Sequence, residues 1–521
     1  MKRSRPRTFE FTGSRRDVPI GAVVAGDIDP DAPLTVTLHF RRRTRPEPPG
    51  SAADLARFSH PTTWRALARQ RARTHARAAK RVAAFARAHG IAVRDIDLAS
   101  RHMVWEAPTH VLTDMFGATV RLYRQGDRTF QARTGVLRIP RAIAPWTRAV
   151  VGFDRRPLLP MRPAADAAAA AGDALWPTQV AARYGIPLDR DTSPQCVGIV
   201  AMGGGYQQSD LDTALTRMGR QPRPVIDQSV GGVTNQFTDG TLLAEQEIAL
   251  DLQVVAGLLP RSRIVVYFTG NTAEALADAI QQAARDDANR PRVLSISWGS
   301  PEFYWTDPRR EVVCAALCDA LRVGVSVVTA AGDQLATCGM TDGKAHVWFP
   351  ASTPYVLGCG GTGLTPQGDE TVWHEGAIGT GGGISDKYPV ADFQNAAALP
   401  VSVNPDQRRG RGVPDVAALA AKSPGYRIVV NGDEMAKDGT SAATPLWAAL
   451  IAIANAARST PLGLLPPHLY GTAGLTFPIT TGDNRQNGIG YAAGDGWNAC
   501  TGLGVPRAAD IIAALATTGM V

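Results

Sequence analysis

Four short apolar runs in the second half of the chain decide the fold: 196-CVGIVAM-202, 263-RIVVYF-268, 293-VLSIS-297 and 325-VSVVT-329. Nearly continuous apolar runs of this length are typical of parallel strands that are covered by helices on both faces. Helical patterns lie between and beside these runs, over residues 209–218, 243–258, 272–286 and 310–321. The alternation predicts a doubly wound α/β domain with functional groups at the carboxyl ends of its strands.

The first half of the chain predicts a separate α/β domain. Residues 33–40 (PLTVTLHF) alternate as a strand does, and residues 62–89 form a long, arginine-rich helical pattern. Strand-like stretches follow at 95–105, 118–123 and 129–139, with a short helix that ends at Gly117. A low-complexity Ala/Asp/Gly stretch at 164–174 then predicts an exposed linker that is open to proteolysis.

Composition agrees with two globular domains. The chain has 521 residues, 44% of them hydrophobic, which is too long for one ordinary domain. The net charge of +8 raises the possibility of a nucleic-acid partner, but few aromatic residues accompany the arginines of the long helix. We therefore expect a charged outer face on that helix. No apolar run is long enough to span a bilayer, and the basic N-terminus lacks the apolar segment of a signal peptide.

One segment, residues 438–445 (DGTSAATP), predicts a nucleophile. Ser441 follows Gly-Thr and precedes an apolar helix, so its hydroxyl would lie at a helix N-terminus, where developing negative charge is favoured. A helix-capping serine is the structural alternative. A nucleophilic serine needs a base, yet none of the three histidines beyond residue 170 lies in a His-Gly-Thr context. This argues against a Ser-His-Asp triad.

Carboxylates are the alternative bases. Glu247 and Asp251 are four residues apart in a predicted helix and share a face, so they could share a proton, whereas Glu245 lies off that face. A solvated charged face is the ordinary interpretation of such a pair. Asp333 follows a buried strand, where a protonated carboxyl could donate a hydrogen bond to an oxyanion, although an Asx turn is also common there.

Eight further motifs occur in an order that resembles the sedolisin family of serine-carboxyl peptidases, close to its kumamolisin-like branch. The motifs are Glu247-x-x-x-Asp251, SISWG (295–299), AAGD (330–333), FPAS (349–352), TGGGIS (380–385), GRGVPDVA (410–417), GTSAATP (439–445) and CTGLG (500–504). The resemblance implies a subtilisin-like doubly wound parallel sheet preceded by a ferredoxin-like α/β prodomain. It places the activation prodomain at 1–160, a linker with the processing site at 161–175, and the peptidase domain at 176–521.

The resemblance also implies the role of each site residue. Ser441 would be the nucleophile, Glu247 the general base, Asp251 its orienting partner and Asp333 the oxyanion-hole acid of an acid-acting endopeptidase. The enzyme would be made as a self-processing zymogen and would need no cofactor for catalysis. The family binds a structural Ca²⁺ near its C-terminus, and here Pro478 and Asn498 replace the two Asp ligands, so a metal-free loop is expected.

The partners implied are protein or peptide substrates and the prodomain itself, with neither nucleic acid nor membrane. A monomeric, extracellular protein is expected from the same resemblance. A non-catalytic binding protein on this fold is the competing hypothesis, and a missing catalytic residue would favour it. All four positions are filled in this chain. Cys314 and Cys318 are close in sequence, but no second pair or histidine cluster completes a zinc site.

Overall fold

The N-terminal domain is a four-stranded antiparallel sheet with one long and one short helix on one face. The computed structural model describes residues 7–41, 47–126, 128–158 and 171–517. The sheet has the order β4-β5-β3-β9, which is that of a ferredoxin-like fold, and a second sheet has the order β2-β6-β7. The elements are β1 (Thr8–Glu10), β2 (Val23–Asp27), β3 (Pro33–Phe40), α1 (Ala52–Leu55), α2 (Trp64–Ala88), β4 (Ala92–Asp97), β5 (His102–Pro108), α3 (Thr109–Phe116), β6 (Thr119–Gln125), β7 (Arg128–Thr134), β8 (Arg138–Pro140) and β9 (Thr147–Val151).

Two predicted strands of this domain each divide in the structure. The stretch 95–105 contains a tight turn between β4 and β5, in which Arg101 has a φ of 60° and the Ser100 amide donates to Asp97 Oδ1 at 2.9 Å. The stretch 129–139 is interrupted after Thr134 by Gly135, which has a φ of 76° and lets the chain turn. A turn at a residue with positive φ need not change the alternation of apolar and polar residues, so the periodicity does not reveal either break.

The second domain is built on an eight-stranded sheet that is parallel except at one edge. Its order is β11-β12-β10-β13-β15-β17, and β17 pairs with parallel β23 and antiparallel β18. The first elements are α4 (Pro177–Arg183), β10 (Cys196–Met202), α5 (Gln208–Arg217), β11 (Ile226–Ser229), α6 (Leu243–Leu258), β12 (Arg263–Thr269), α7 (Ala273–Arg285), β13 (Val293–Ile296), β14 (Ser300–Pro301), α8 (Asp307–Arg322), β15 (Ser326–Ala330), β16 (Trp348–Phe349) and β17 (Leu357–Leu364). The remaining elements are β18 (Glu370–Val372), β19 (His374–Glu375), β20 (Ile378–Gly379), β21 (Gly383–Ile384), β22 (Gly412–Val413), β23 (Val416–Leu419), β24 (Tyr426–Val430), β25 (Asp433–Lys437), α9 (Thr440–Ala456), α10 (Pro466–Tyr470), β26 (Thr476–Phe477), β27 (Val505–Pro506) and α11 (Ala508–Thr517).

Helices cover both faces of this sheet, as the apolar runs predict. Helices α6 and α9 pack together on one face, while α7 and α8 pack together on the other. Strand β9 of the N-terminal domain packs against α8. The N-terminal domain therefore docks on the α7–α8 side of the sheet.

A buried ion cluster joins the two domains. Asp319 on α8 is fully buried and accepts hydrogen bonds from both Arg71 and Arg101 of the N-terminal domain. Arg71 is itself 7% exposed, so the expectation of a charged outer face is wrong for this one member of α2. Helix sequence alone cannot indicate this burial, because the partner lies 248 residues away.

The predicted linker is anchored at both ends. The Leu158 amide donates to Asn271 Oδ1 at 3.1 Å, and the Arg427 side chain donates to the carbonyl of Gly172 at 2.8 Å and to that of Ala174. Residues 161–170 of the predicted linker lie outside the described residues. Ala174 was predicted to lie in an exposed tether, but it is 6% exposed, because it lies against the peptidase domain beside β24.

Candidate active site

Ser441 lies at the start of α9, at the carboxyl edge of the sheet. The backbone turns into the helix at Gly439, whose φ of 121° is open to glycine but strained for other residues. Pro445 lies one turn further on and has no amide hydrogen to donate to the Ser441 carbonyl. The Ser297 hydroxyl oxygen lies 3.4 Å from that carbonyl, although its one proton is donated over the shorter distance to Asp251. The sequence therefore places the serine where a helix begins and leaves its backbone free to contact a neighbouring strand.

Glu247 and Asp251 lie one turn apart on α6, and both point toward Ser441 and Ser297. Interaction with the Ser441 hydroxyl lowers the pKa of Glu247, which places the two side chains close together, and the Ser297 hydroxyl donates to Asp251 Oδ1 at 2.8 Å. One oxygen of each carboxylate is buried, and neither Glu247 Oε1 nor Asp251 Oδ2 has a hydrogen-bond partner within the described part of the chain. A shared proton would satisfy both oxygens.

The environment of this pair favours the protonated state. Burial is the largest cause that raises the pKa of Glu247, and the charge of Asp333 adds to it, while hydrogen bonds from Ser441 and Ser297 and the charge of Lys437 act in the opposite direction. Burial likewise raises the pKa of Asp251, and the Glu247 charge adds to the effect. Repulsion between two neighbouring carboxylates disfavours the doubly ionised state, so the pair retains one proton at pH values well above the ordinary pKa of a carboxyl group.

Asp333 lies on the other side of Ser441, directly after β15. Its Oδ1 accepts hydrogen bonds of 2.7 Å from both the amide and the hydroxyl of Thr440. Burial raises the pKa of Asp333, and the nearby Asp438 raises it further, against the hydrogen bonds from Thr440. Because Oδ1 is already an acceptor, a proton would lie on Oδ2, which faces the Cα of Gly439.

The structure thus brings together all four residues that were predicted to form the site. Two other contributors have no role in the sequence prediction. Ser297 belongs to the SISWG motif, and its hydrogen bond to Asp251 and its contact with Ser441 show what that motif holds in place. Lys437 lies beside the site and donates to Gln246 Oε1 at 3.1 Å. Its position just before the nucleophile segment was the only signal in the sequence.

Glu245 lies off the face shared by Glu247 and Asp251, as predicted, and has hydrogen-bond partners of its own. It is fully buried, and its carboxylate accepts hydrogen bonds from the Thr238 amide and hydroxyl and, at 2.9 Å, from the Gly240 amide. Glu245 therefore holds the loop that leads into α6 and takes no part in the Glu247–Asp251 pair.

The loop around Asn498 does not fit a calcium ion. Asn498 Nδ2 donates to the Ile479 carbonyl at 3.0 Å, so a donor occupies the direction from which that oxygen would bind a cation. Asn498 Oδ1 accepts from the Cys500 amide and from the amide and hydroxyl of Thr501. Pro478 has no side-chain oxygen. A hard cation that takes six or more oxygens, some of them charged, finds no such set here.

The described residues contain neither a metal-binding cluster nor a membrane-spanning helix. No group of three His, Cys, Asp or Glu side chains suited to a metal is found among the described residues. Within the same residues, no helix is both long and apolar enough to cross a bilayer. All six cysteines are free thiols.

Comparison with known proteins gives the family. Residues 21–156 match the activation domain of pro-kumamolisin, and residues 230–468 match the subtilase family. Kumamolisin of Bacillus sp. (strain MN-32) is 38% identical over 452 residues, which cover 83% of this chain and 82% of that protein. The chain belongs to the sedolisin family. Human tripeptidyl-peptidase 1 is 30% identical over 285 residues, half of each chain.

The fold agrees with this membership. A structure of Pseudomonas sedolisin, a serine-carboxyl proteinase complexed with two molecules of pseudo-iodotyrostatin, superposes with a TM-score of 0.58 at 25% identity. The match covers 68% of this chain and all of that one. As a sedolisin-family member with an activation domain, the protein is a serine-carboxyl peptidase made as a zymogen, and the predicted fold is confirmed.

Proposed function

We propose that this protein is an acid-acting endopeptidase in which Ser441 is the nucleophile, Glu247 the base, Asp251 its orienting partner and Asp333 the oxyanion donor. The observation that carries the proposal is that Ser441 lies next to Glu247 of the carboxylate pair, while its chain neighbour Thr440 donates two hydrogen bonds to the third carboxyl group, Asp333. The bounds of the activation prodomain (1–160), the linker (161–175) and the peptidase domain (176–521) remain predictions.

Attack begins when the Ser441 Oγ–H bond breaks and Oγ bonds to the substrate carbonyl carbon. The proton moves to Glu247, the carboxylate next to the hydroxyl. Asp251, held by Ser297 at 2.8 Å, keeps one proton between the two carboxylates and fixes the orientation of Glu247.

The carbonyl oxygen gains a negative charge in the same step. Asp333 Oδ2–H donates to that oxygen, because the Thr440 hydrogen bonds leave Oδ2 as the protonated atom. The start of α9 adds the positive end of a helix dipole. Glu247 then returns its proton to the leaving amine, the acyl-enzyme forms, and water repeats the sequence to release the acid.

The pH dependence follows from these protonation states. The rate rises with pH as the doubly protonated Glu247–Asp251 pair loses its first proton, because the base must be free. The rate falls at higher pH as Asp333 loses the proton that it donates. Burial raises the pKa of Glu247, to about 7, as well as that of Asp333, so both limbs lie above the pH of ~4 at which unperturbed carboxyl groups titrate, and we expect the maximum in the weakly acid range.

A pH scan of peptide hydrolysis from about 2 to 8 tests the proposal. Ser441→Ala, Glu247→Gln and Asp333→Asn should each lower kcat by several orders of magnitude, as removal of one member of a catalytic unit does. Masses of the fragments from a long peptide distinguish internal cleavage from removal of tripeptides. A kcat/KM maximum at pH 7 or above would refute the mechanism.

The activation domain extends the proposal to processing. On acidification the wild-type zymogen should cleave itself on the N-terminal side of the peptidase domain, whereas a purified Ser441→Ala protein should stay at full length. Equal cleavage of both proteins would assign the cut to another protease. An extracellular location, a monomeric state, and the lack of nucleic-acid or membrane partners remain predictions of the family resemblance.

A further inference from the structure

A cluster of arginines lies where the activation domain meets the start of α8. Arg16 and Arg133 belong to the activation domain, Arg309 belongs to α8, and each of the three is at most 9% exposed. Arg156 lies beside them and donates to Asp154 Oδ1 at 3.0 Å. Four guanidinium groups are therefore gathered at this junction between the two domains.

Two carboxylates serve these four cations. Asp154 is shared by Arg156 and Arg16, whose Nε donates to Asp154 Oδ2 at 3.2 Å. Glu274 on α7 accepts two hydrogen bonds from Arg309, at 3.1 and 3.2 Å. Counted over these six side chains, the cluster carries more positive than negative charge. Burial of a charge without a counter-charge is costly, so the cluster favours an additional anion.

The excess of positive charge also acts on the arginines themselves. Burial is the largest cause that lowers the pKa of Arg16, to about 9, and that of Arg133, to about 10. The positive charge of Arg309 lowers both pKa values as well, and the negative charge of Asp154 opposes this effect. The direction of both shifts agrees with a shortage of negative charge around these two side chains.

A small cavity lies inside the cluster. Its lining includes Arg16, Arg133, Asp154, Glu274 and Arg309, and its volume of about 10 Å³, counted for the centre of a water-sized sphere, admits about one such particle. Nη1 of Arg309 is buried and has no hydrogen-bond partner within the described part of the chain. A buried cationic donor without an acceptor is costly. A single small anion in the cavity would offset the excess charge and supply an acceptor.

The beginning of α8 lines the same cavity. Thr306 and Pro308 belong to the lining, and the side chain of Thr306, which precedes the first helical residue, forms no capping hydrogen bond. Because α8 has 16 residues, its start carries the positive end of a helix dipole, which favours an anion nearby. The helix start attracts negative charge independently of the arginines.

We propose that this cavity, the interface anion site, binds one chloride ion that links the activation domain to α8. Chloride is a single atom of nearly the size that the cavity admits, whereas phosphate and carboxylate anions are larger. The ion would be held from both sides of the junction, because Arg16 and Arg133 come from one domain and Arg309 comes from the other. The proposal goes beyond the proposed function, since it concerns the stability of the zymogen and not the cleavage of peptides.

The experiment is calorimetry of the full-length zymogen in a Ser441→Ala background, which prevents self-processing. Sodium chloride replaces sodium gluconate at constant ionic strength and neutral pH, so that general screening of charges does not change. The melting midpoint should rise with chloride. A ligand that binds only the folded state favours that state by a factor of one plus the ratio of its concentration to Kd, which is about elevenfold at ten times Kd. Bromide should act as chloride does.

Arg133→Gln is the test variant, because it removes one cation of the cavity lining and leaves the ion pairs of Asp154 and Glu274 in place. The apparent Kd for chloride should rise by about tenfold or more, as expected for the loss of a hydrogen bond to a charged group. Arg94→Gln is the matched control, because the Arg94 side chain is 60% exposed in the same domain, and it should keep the chloride response.

Two outcomes would overturn the proposal: equal midpoints in chloride and gluconate, or a chloride response in Arg133→Gln equal to that of the control. If Arg133→Gln does not fold, crystals of the Ser441→Ala zymogen grown in bromide decide the question. An anomalous peak between Arg133 and Arg309 supports the site, and peaks that lie only elsewhere refute it. None of these measurements uses peptide cleavage, so a failure here is distinguishable from a failure of the proposed function.

Discussion

Removal of the Asp319 charge should weaken the docking of the activation domain. Asp319 accepts four hydrogen bonds, two each from Arg71 and Arg101, and its side chain is 1% exposed. In Asp319→Asn two guanidinium groups stay buried without their counter-ion. Breaking a buried ion pair by removing one partner costs about 3–5 kcal/mol.

The structure favours the lower end of that range. Arg71 keeps a hydrogen bond of 2.6 Å to the Ala99 carbonyl, and Arg101 keeps one of 3.4 Å to the Ala315 carbonyl. We therefore expect a loss of about 3 kcal/mol, or roughly a hundredfold in the docking equilibrium. For a domain of this size the melting midpoint should fall by about 2–4 °C per kcal/mol.

The assay is calorimetry of the full-length zymogen at neutral pH in a Ser441→Ala background, which prevents self-processing. Glu106→Gln is the matched control, because it breaks the Arg94–Glu106 pair on the exposed surface of the same domain, where such pairs contribute at most about 1 kcal/mol. An Asp319→Asn midpoint that matches the control would refute the reasoning. In the active background, Asp319→Asn should also self-process at a higher pH than the wild type does.

Three further predictions concern other parts of the molecule. Glu245→Ala should lower the free energy of unfolding, by about 1–3 kcal/mol for each donor left unpaired, and keep the wild-type pH profile, whereas Glu247→Gln should abolish activity; an altered profile in Glu245→Ala would contradict this. The new N-terminus after processing should lie between Leu158 and Gly172, since both ends are anchored; Edman sequencing or mass spectrometry outside that window would refute it. Millimolar Ca²⁺ should leave the melting midpoint within error of that in a chelator, because Asn498 already bonds the carbonyl that a cation would need, and a large chelator-induced drop would show otherwise.

The raised carboxyl pKa values also have a stability consequence of definite sign. In the unfolded chain Glu247 and Asp333 titrate near pH ~4, and in the folded chain burial raises both values. Between those pH values the folded state binds more protons than the unfolded state, so stability falls as pH rises. The contribution of these two groups should therefore make the melting temperature of the peptidase domain higher in acid than at neutral pH.

The fold was predictable wherever local pattern and burial coincide. The strand Cys196–Met202 and the helix Leu243–Leu258 have the predicted bounds, because the strand is buried throughout and the helix at all but two positions, so that their apolar residues mark the ends clearly. The spacing of Glu247 and Asp251 likewise follows from helix geometry alone. In these cases the local sequence pattern is enough to predict the secondary structure.

What could not be predicted depends on contacts between distant segments. The burial of Arg71 depends on Asp319 in the other domain, and the burial of Glu245 depends on a loop whose amides turn back toward the helix. The sequence around each of these residues does not indicate that the residue is buried, so only the three-dimensional packing shows its role.

The loop that contains Asn498 is held by hydrogen bonds between groups that do not titrate. Its hydrogen bonds join an amide side chain to the Ile479 carbonyl, to the Cys500 amide and to the Thr501 amide and hydroxyl. A carboxylate in the same place would compete with solvent protons for its partners below pH ~4. The Asn498 loop therefore keeps the same hydrogen bonds under acid conditions that would protonate a carboxylate in that position, and its integrity does not depend on the acidity in which the catalytic carboxyl groups operate.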